Sequence, residues 1–281
     1  MQSLSSKANS SDDKLNPAFS TKDGRVRIYQ EDVIAFLKSL PDESVDLITT
    51  DPAYSGMNQM LQLGRGKIIG VYKEKGQNDS KWFDEFHDTP ENYHVFLREC
   101  KRVLKNDRHI YIMFDSFSLL SLAPIVREVF DVKNLLCWDK VNIGMGHYFR
   151  RRHEFILFAS KGKRKINSRS IPDIWQIKRV TRAPYPTQKP TEVFQVMLRA
   201  SAEPGYVVCD PFVGSGSSAI ATLQEGCKFI GCDISDKSIE VCSSRISEFI
   251  EMGKDPLQTK SLIVDEHIIN KVLLNGKSIK D

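Results

Sequence analysis

Between Tyr206 and Ile250 the chain is written as strand, glycine turn, helix, strand, helix, and this order restricts the fold more than any other feature. An apolar run over Tyr206 to Asp210 leads into Gly214-Ser215-Gly216. Helical spacing follows over Ser217 to Glu225, then a second apolar run over Lys228 to Asp233 and a helix over Asp236 to Ile250. Two strands joined by such a helix lie parallel in one sheet, because the crossover returns the chain to the edge it started from. The preceding half repeats the alternation. Strands are expected at Arg25 to Tyr29, Ser44 to Thr50, His109 to Phe114, Val132 to Asp139 and Glu154 to Ser160. Helices are expected at Glu31 to Leu40, Glu91 to Leu104, Phe117 to Phe130 and Thr191 to Ala202. The expected fold class is α/β, with a doubly wound, mostly parallel sheet.

Two stretches break the alternation. Ser55 to Lys81 carries five glycines and little periodicity, and Lys161 to Arg182 is dense in basic residues. Segments of this kind inside a domain are functional loops or disorder. Residues 1–24 are expected to form a flexible tail, since Met1 to Lys14 is rich in Ser, Asn, Asp and Lys and lacks the apolar region of a secretory signal. Residues 25–252 make the domain, and residues 253–281 form an extension of mixed pattern.

Composition narrows the function classes. With 41% apolar and 27% charged residues the chain is neither disordered nor fibrous. No run approaches the ~18 apolar residues of a membrane span. The six cysteines form no C-x-x-C pair and several sit in apolar runs, so they read as small hydrophobes in a reducing, cytoplasmic setting, with no disulfide framework and no metal site. Net charge is only +4, yet between Arg150 and Arg182 eleven Lys or Arg face two acids, Glu154 and Asp173. A basic block on a mildly acidic body suggests a polyanion partner.

Two segments carry chemistry. In Asp210-Pro211-Phe212-Val213-Gly214-Ser215-Gly216 the glycines let a ligand approach the backbone, and the following helix offers free N–H groups. Asp233 ends the next strand nineteen residues after Gly214, where nucleotide-type folds place a carboxylate for ribose hydroxyls. The second segment, Asp51-Pro52-Ala53-Tyr54, ends a buried strand and so sits at the carboxyl edge of the sheet. An exocyclic amine on a base ring is a poor nucleophile because its lone pair is delocalised. Accepting its two hydrogens, on Asp51 and on the Pro52 carbonyl, favours a tetrahedral nitrogen with an available lone pair. Tyr54 offers a ring on which an extruded base can stack.

Together the two segments resemble the amino-methyltransferases of DNA, over roughly Arg25 to Ile250. Asp51 to Tyr54 matches the D/N/S-P-P-Y/F motif, with Ala53 in place of the second proline, and Phe212 to Gly216 matches F-x-G-x-G. The catalytic motif comes first, as in the circularly permuted beta group. Tyr185-Pro186-Thr187-Gln188-Lys189-Pro190 resembles the H-P-T-Q-K-P segment, and Arg152 to Leu157 resembles the H-E-x-I-L-x strand. Leu104 to Tyr111 is similar to the strand entry after L-K-x-x-G, with Asn106-Asp107 replacing the glycine turn.

The resemblance implies a Rossmann-like methyltransferase fold in permuted order and S-adenosylmethionine as cofactor. Its pocket would include Asp32, Thr187, Gln188, Lys189, Asp210, Phe212, Gly214, Gly216 and Asp233. Asp51, Pro52 and Tyr54 would be catalytic, and transfer would be direct and in line, without a cysteine nucleophile. Asp at the first motif position goes with adenine N6 in this family, and cytosine N4 is the alternative. A non-catalytic nucleic-acid-binding protein on the same fold is the rival from another class. The partner implied is duplex DNA with its target base flipped out. A homodimer is expected by analogy, and the enzyme belongs to a restriction–modification system or acts alone. Recognition falls to an insert at about 161–184, with Lys163, Arg164, Lys165, Arg169, Lys178, Arg179 and Arg182, helped by Arg65 and Lys67 in the loop at 55–81. Trp175 is read as a hydrophobic anchor of the insert, and Trp82 and Trp138 as core or pocket wall.

Overall fold

A computed structural model describes residues 15–52, 89–144, 149–181, 183, 185, 187–257, 262–264, 267–268 and 272. Nine strands form one sheet: β1 (Phe19–Ser20), β2 (Val26–Gln30), β3 (Val45–Thr50), β4 (Leu104–Phe114), β5 (Asp131–Asp139), β6 (His153–Lys161), β7 (Ile174–Gln176), β8 (Val207–Asp210) and β9 (Lys228–Asp233). Six helices accompany them: α1 (Val33–Ser39), α2 (Pro90–Val103), α3 (Ser116–Val129), α4 (Thr191–Ser201), α5 (Ser217–Gln224) and α6 (Asp236–Met252). The strand order is β1-β2-β9-β8-β3-β4-β6-β5-β7. The five strands from β2 to β4 in that order are parallel, β6 runs against both β4 and β5, and β7 is parallel to β5. The expected mostly parallel α/β sheet is the one found.

Strict alternation along β4 divides the core in two. Ile110, Ile112 and Phe114 pack with Phe36, Tyr93, Phe96 and Val126 under α1, α2 and α3. Tyr111 and Met113 face the other way, onto Val193, Phe194 and Met197 of α4. On that second face α5 and α6 close over β2 and β9 through Ala219, Ile220, Cys242 and Ile246. Side chains of period two thus feed helices on both faces, which makes three layers.

Sequence and structure differ at three places. Phe19–Ser20 lies in the stretch read as a tail, but pairs antiparallel with Ile28 and Arg27 of β2. β4 starts at Leu104, five residues before the expected strand, through the polar run Lys105 to Arg108. That run is held by buried Asp46, which accepts from Lys105 Nζ at 2.9 Å, from Arg108 Nε at 3.3 Å and from the Val207 amide at 3.0 Å. Within it Asp107 takes the left-handed conformation (φ 55°) that a glycine adopts without cost. Finally, β7 falls inside the basic stretch. Its Trp175 is 1% exposed, donates to the Pro172 carbonyl at 2.7 Å and anchors the segment, as the sequence suggested. Trp138 is likewise core, whereas Trp82 and the loop at 55–81 lie outside the described residues. From the C-terminal extension Ile263 bridges to Ile177, and Ile268 and Val272 are buried in the second-face core. No helix among the described residues is long and apolar enough to cross a membrane.

Candidate active site

β3 and β8 are neighbours, with Leu47 opposite Val208 and Ile48 opposite Cys209. From β8 the chain crosses through α5 to β9 on one side, and from β3 it proceeds to α2 and β4 on the other. The connections therefore part between these two strands, which opens a crevice beyond their carboxyl ends. Asp51 and Asp210 leave the sheet side by side at that crevice. Two segments 159 positions apart in the chain meet because their strands pair.

The glycine turn is built as its sequence requires. Gly214 and Gly216 both have positive φ, 51° and 80°. A Cβ on Gly216 would come 2.6 Å from Cys242 Sγ, so the turn packs against α6 only without one. Asp233 accepts the Gly214 amide at 2.9 Å with one oxygen and the Ser235 amide at 3.0 Å with the other. The acid therefore orders the turn. Tyr185 lies over Gly214 and shares a hydrogen bond with Ser238 Oγ at 2.9 Å. Phe212 meets Phe96 edge-on at 5.7 Å.

Asp210 is buried beneath the turn. It accepts from Ser218 Oγ at 2.5 Å and from the Phe212 amide at 3.0 Å. Burial pushes its carboxyl up to about 8, against the pull of those two bonds and with help from Asp51 and Asp233. Folding then takes up a proton that the unfolded chain releases above about pH 4. This contribution to stability is complete below that pH and is lost as pH rises through about 8. In urea titrations across pH 5 to 9, Asp210→Asn should therefore lose less stability with rising pH than the parent protein. Parallel curves for the two proteins would exclude Asp210 as the titrating group.

Asp51 is joined to the Tyr185–Pro190 segment by an ion pair with Lys189 Nζ. Lys189 Nζ also stands 3.8 Å from Glu154 of β6, and Lys140 at the end of β5 bonds the other Glu154 oxygen at 3.0 Å. Burial pushes Asp51 up; Lys189 opposes the rise and Glu154 adds to it, leaving the carboxyl above its ordinary value. Burial also raises Glu154, but Lys189 and Lys140 more than offset it and hold it low. Lys189 is held above the ordinary lysine range by Asp51 and Glu154 despite its own burial. The Pro52 carbonyl, one residue on, accepts no hydrogen bond from the described residues. Tyr54 lies outside them.

Next to Lys189, Gln188 is 6% exposed, and neither its amide nitrogen nor its oxygen has a partner among the described residues. A buried unpaired amide costs about 1–3 kcal/mol, so it suits a ligand offering both a donor and an acceptor. Thr187 holds the turn in the left-handed region (φ 59°), a strained conformation for a β-branched residue. Around the crevice Asp51 and Asp233 both help to raise the carboxyl of Asp210, and this gathering of acids favours a cationic ligand. These residues fit a cofactor carrying a positive centre, hydroxyls and an amino-acid end.

The other candidate residues are dispersed over the fold. Asp32 is at the same carboxyl edge, but its Oδ1 caps α1 through the Ile34 and Ala35 amides at 2.9 and 3.1 Å. The basic block is not one surface. Because β6 runs against β4, Lys161 pairs with Arg108, roughly 17 Å of strand from the crevice. Lys163, Arg164 and Lys165 thus lie at the opposite edge, where Arg164 is held by Glu203 at 2.7 Å and Tyr206 at 3.0 Å. Arg169 is exposed on the stretch leading back, and exposed Lys178 and Arg179 follow β7 at the crevice edge. Arg65, Lys67 and Arg182 lie outside the described residues.

Arg245 of α6 was not foreseen. It is 1% exposed, bonds both Asp255 oxygens (2.9 and 2.6 Å), and reaches the Ser215 carbonyl at 2.9 Å, Ser217 Oγ at 2.9 Å and Thr191 Oγ1 at 3.1 Å. Ser217 Oγ in turn donates to the Lys189 carbonyl at 2.7 Å. The available signal was its position on the apolar stripe of Ile239, Cys242 and Ile246.

The sequence profile of the N6/N4 family, described as DNA methylase, matches residues 45–244. The type II methyltransferase M2.MboI of Moraxella bovis is 25% identical over 271 residues, covering 88% of this chain and 97% of that protein. The solved M1.HpyAVI–SAM complex superposes with a TM-score of 0.56 at 21% identity, over 79% of this chain and 98% of the other. The cytosine-N4-specific PvuII DNA methyltransferase gives 0.61 at 16% identity, over 82% and 88%. These two structural likenesses concern the fold.

Proposed function

The chain belongs to the N6/N4 DNA methylase family, and on that premise we propose that it is a DNA adenine-N6 methyltransferase of restriction–modification type using S-adenosylmethionine. The observation that carries this reading is the meeting of Asp51-Pro52 with the Gly214–Gly216 turn at one crevice. S-adenosylmethionine supplies an electrophilic methyl group. Asp233 and the glycine turn would hold its nucleoside part, and Gln188 its amino-acid end.

The work left to the chain is to prepare the amine. Asp51 accepts one amino hydrogen and the Pro52 carbonyl the other, which draws the nitrogen toward tetrahedral geometry and frees its lone pair. Tyr54 stacks on the extruded base, worth roughly 1–3 kcal/mol. Holding the two reactants in line supplies much of the acceleration, so no strong base is needed. Asp as the first motif residue favours adenine over cytosine. The methylated nitrogen carries the positive charge and is acidic, so its extra proton passes to water without a strong base. Extrusion of the base and assembly as a homodimer belong to the same proposal.

The test is mass spectrometry of nucleosides from DNA of cells expressing the protein, with an Asp51→Ala control. N6-methyladenine that depends on Asp51 is the expected result. N4-methylcytosine in its place would overturn the adenine assignment and keep the family, and no modified base in either culture would overturn the activity.

A further inference from the structure

We propose that Lys189, braced by Glu154, is a positioning residue that keeps the Asp51 carboxylate ionised and turned toward the crevice. This goes beyond a role for Lys189 in the cofactor pocket, and it rests on the function proposed above.

Geometry separates Lys189 from its neighbours. Its backbone is fixed, since the Lys189 carbonyl accepts from Ser217 Oγ at 2.7 Å and Pro190 begins α4. Its side chain is 13% exposed and ends between two carboxylates, Asp51 and Glu154. A lysine serving only a ligand has no need of a second acid behind it. Glu154 is itself secured by Lys140 at 3.0 Å, so the order from β5 to β3 is Lys140, Glu154, Lys189, Asp51, with alternating charge. Alternation of this kind fixes the two inner members, Glu154 and Lys189, because each has an opposite charge on either side.

The chemistry explains why Asp51 needs such a neighbour. A carboxylate can accept an amino hydrogen, whereas a protonated carboxyl presents its O–H instead and competes with the methyl group for the lone pair. Among the described residues, the other charged groups that bear on Asp51 drive it toward protonation. Burial raises its carboxyl, and Glu154 on β6 and Asp115 ahead of α3 add to the rise; Asp210 on β8 and the Tyr185 ring also face it but are uncharged below about pH 8. Among the described residues Lys189 is the cation paired with Asp51, while Lys140 and Arg151 hold Glu154 low. An opposite charge at this range lowers a carboxyl by about 1–3 pH units.

The experiment is the pH profile of kcat/KM on duplex DNA for the parent protein, Lys189→Met, Lys189→Arg and Glu154→Gln. Cofactor affinity by calorimetry and the melting temperature are recorded for each. Lys189→Met should shift the acid limb upward by about one pH unit or more, with activity recovering as pH rises. Glu154→Gln removes a like charge and should shift the limb downward. Lys189→Arg keeps the charge and should leave the limb in place while lowering kcat. Two results would overturn the proposal. One is an acid limb unmoved in both Lys189→Met and Glu154→Gln. The other is a Lys189→Met protein whose cofactor affinity falls while its limb stays, which would make Lys189 a cofactor ligand. If Lys189→Met does not fold, an acid limb unmoved in Lys189→Arg and lowered in Glu154→Gln still supports the proposal, and one unmoved in Glu154→Gln overturns it. A parent protein inactive on DNA at every pH would instead overturn the underlying function.

Discussion

Replacing Asp51 by alanine should lower kcat for methyl transfer to duplex DNA by about 10²–10³-fold while leaving cofactor affinity within a few-fold. The asymmetry follows from placement. Asp51 follows β3, whereas the glycine turn and Asp233, which hold the cofactor in our proposal, follow β8 and end β9. Its side chain acts on the amine only as the nitrogen becomes tetrahedral, so its loss appears in kcat more than in binding. Lys189 keeps Glu154 as a counter-charge, and the fold is expected to survive. Single-turnover transfer of a labelled methyl group gives the number. An Asp51→Ala protein within five-fold of the parent would remove Asp51 from the chemistry.

The largest effect on stability is expected from Arg245→Met, at about 3–5 kcal/mol, or roughly 10 °C in Tm. Arg245 and Asp255 are nearly inaccessible, at 0% and 5% side-chain exposure, so removing the guanidinium leaves a buried carboxylate without its counter-charge. The Ser215 carbonyl, Ser217 Oγ and Thr191 Oγ1 lose a donor at the same time. These groups tie the glycine turn to the start of α4, so cofactor affinity should fall with stability. Arg245→Met combined with Asp255→Leu should recover part of the loss, because burying apolar groups in place of an ion pair costs less than burying half of one. Urea denaturation of the three proteins measures this. A loss below about 1 kcal/mol in the single variant would show that the pair is not a structural pin.

Several features were readable along the chain because they are local. Gly214, Gly216 and Asp233 fall within one strand-turn-helix-strand unit, where spacing alone fixes what can touch. The buried Trp175 inside a polar stretch was legible for a similar reason, since a lone large apolar side chain must find a core. Elsewhere local appearance and global position part. Arg164 looks like its basic neighbours, but the direction of β6 carries it to the far edge and into an ion pair with Glu203. Asp32, expected beside a ligand, spends Oδ1 on a helix cap that any Asp before a helix can form.

The sequence by itself determined the α/β class, the parallel sheet, the two motifs and their placement at strand ends, since periodicity and turn chemistry act over a few residues. Only the tertiary structure decided which strands adjoin. Pairing of β3 with β8 brings Asp51 to the glycine turn, and β6 beside β4 sets Glu154 behind Lys189. The chain of charges from Lys140 to Asp51 and the Arg245 pin unite residues far apart in sequence. Such contacts leave no periodic trace, because they arise from the packing of whole elements and from the requirement that buried charge be paired.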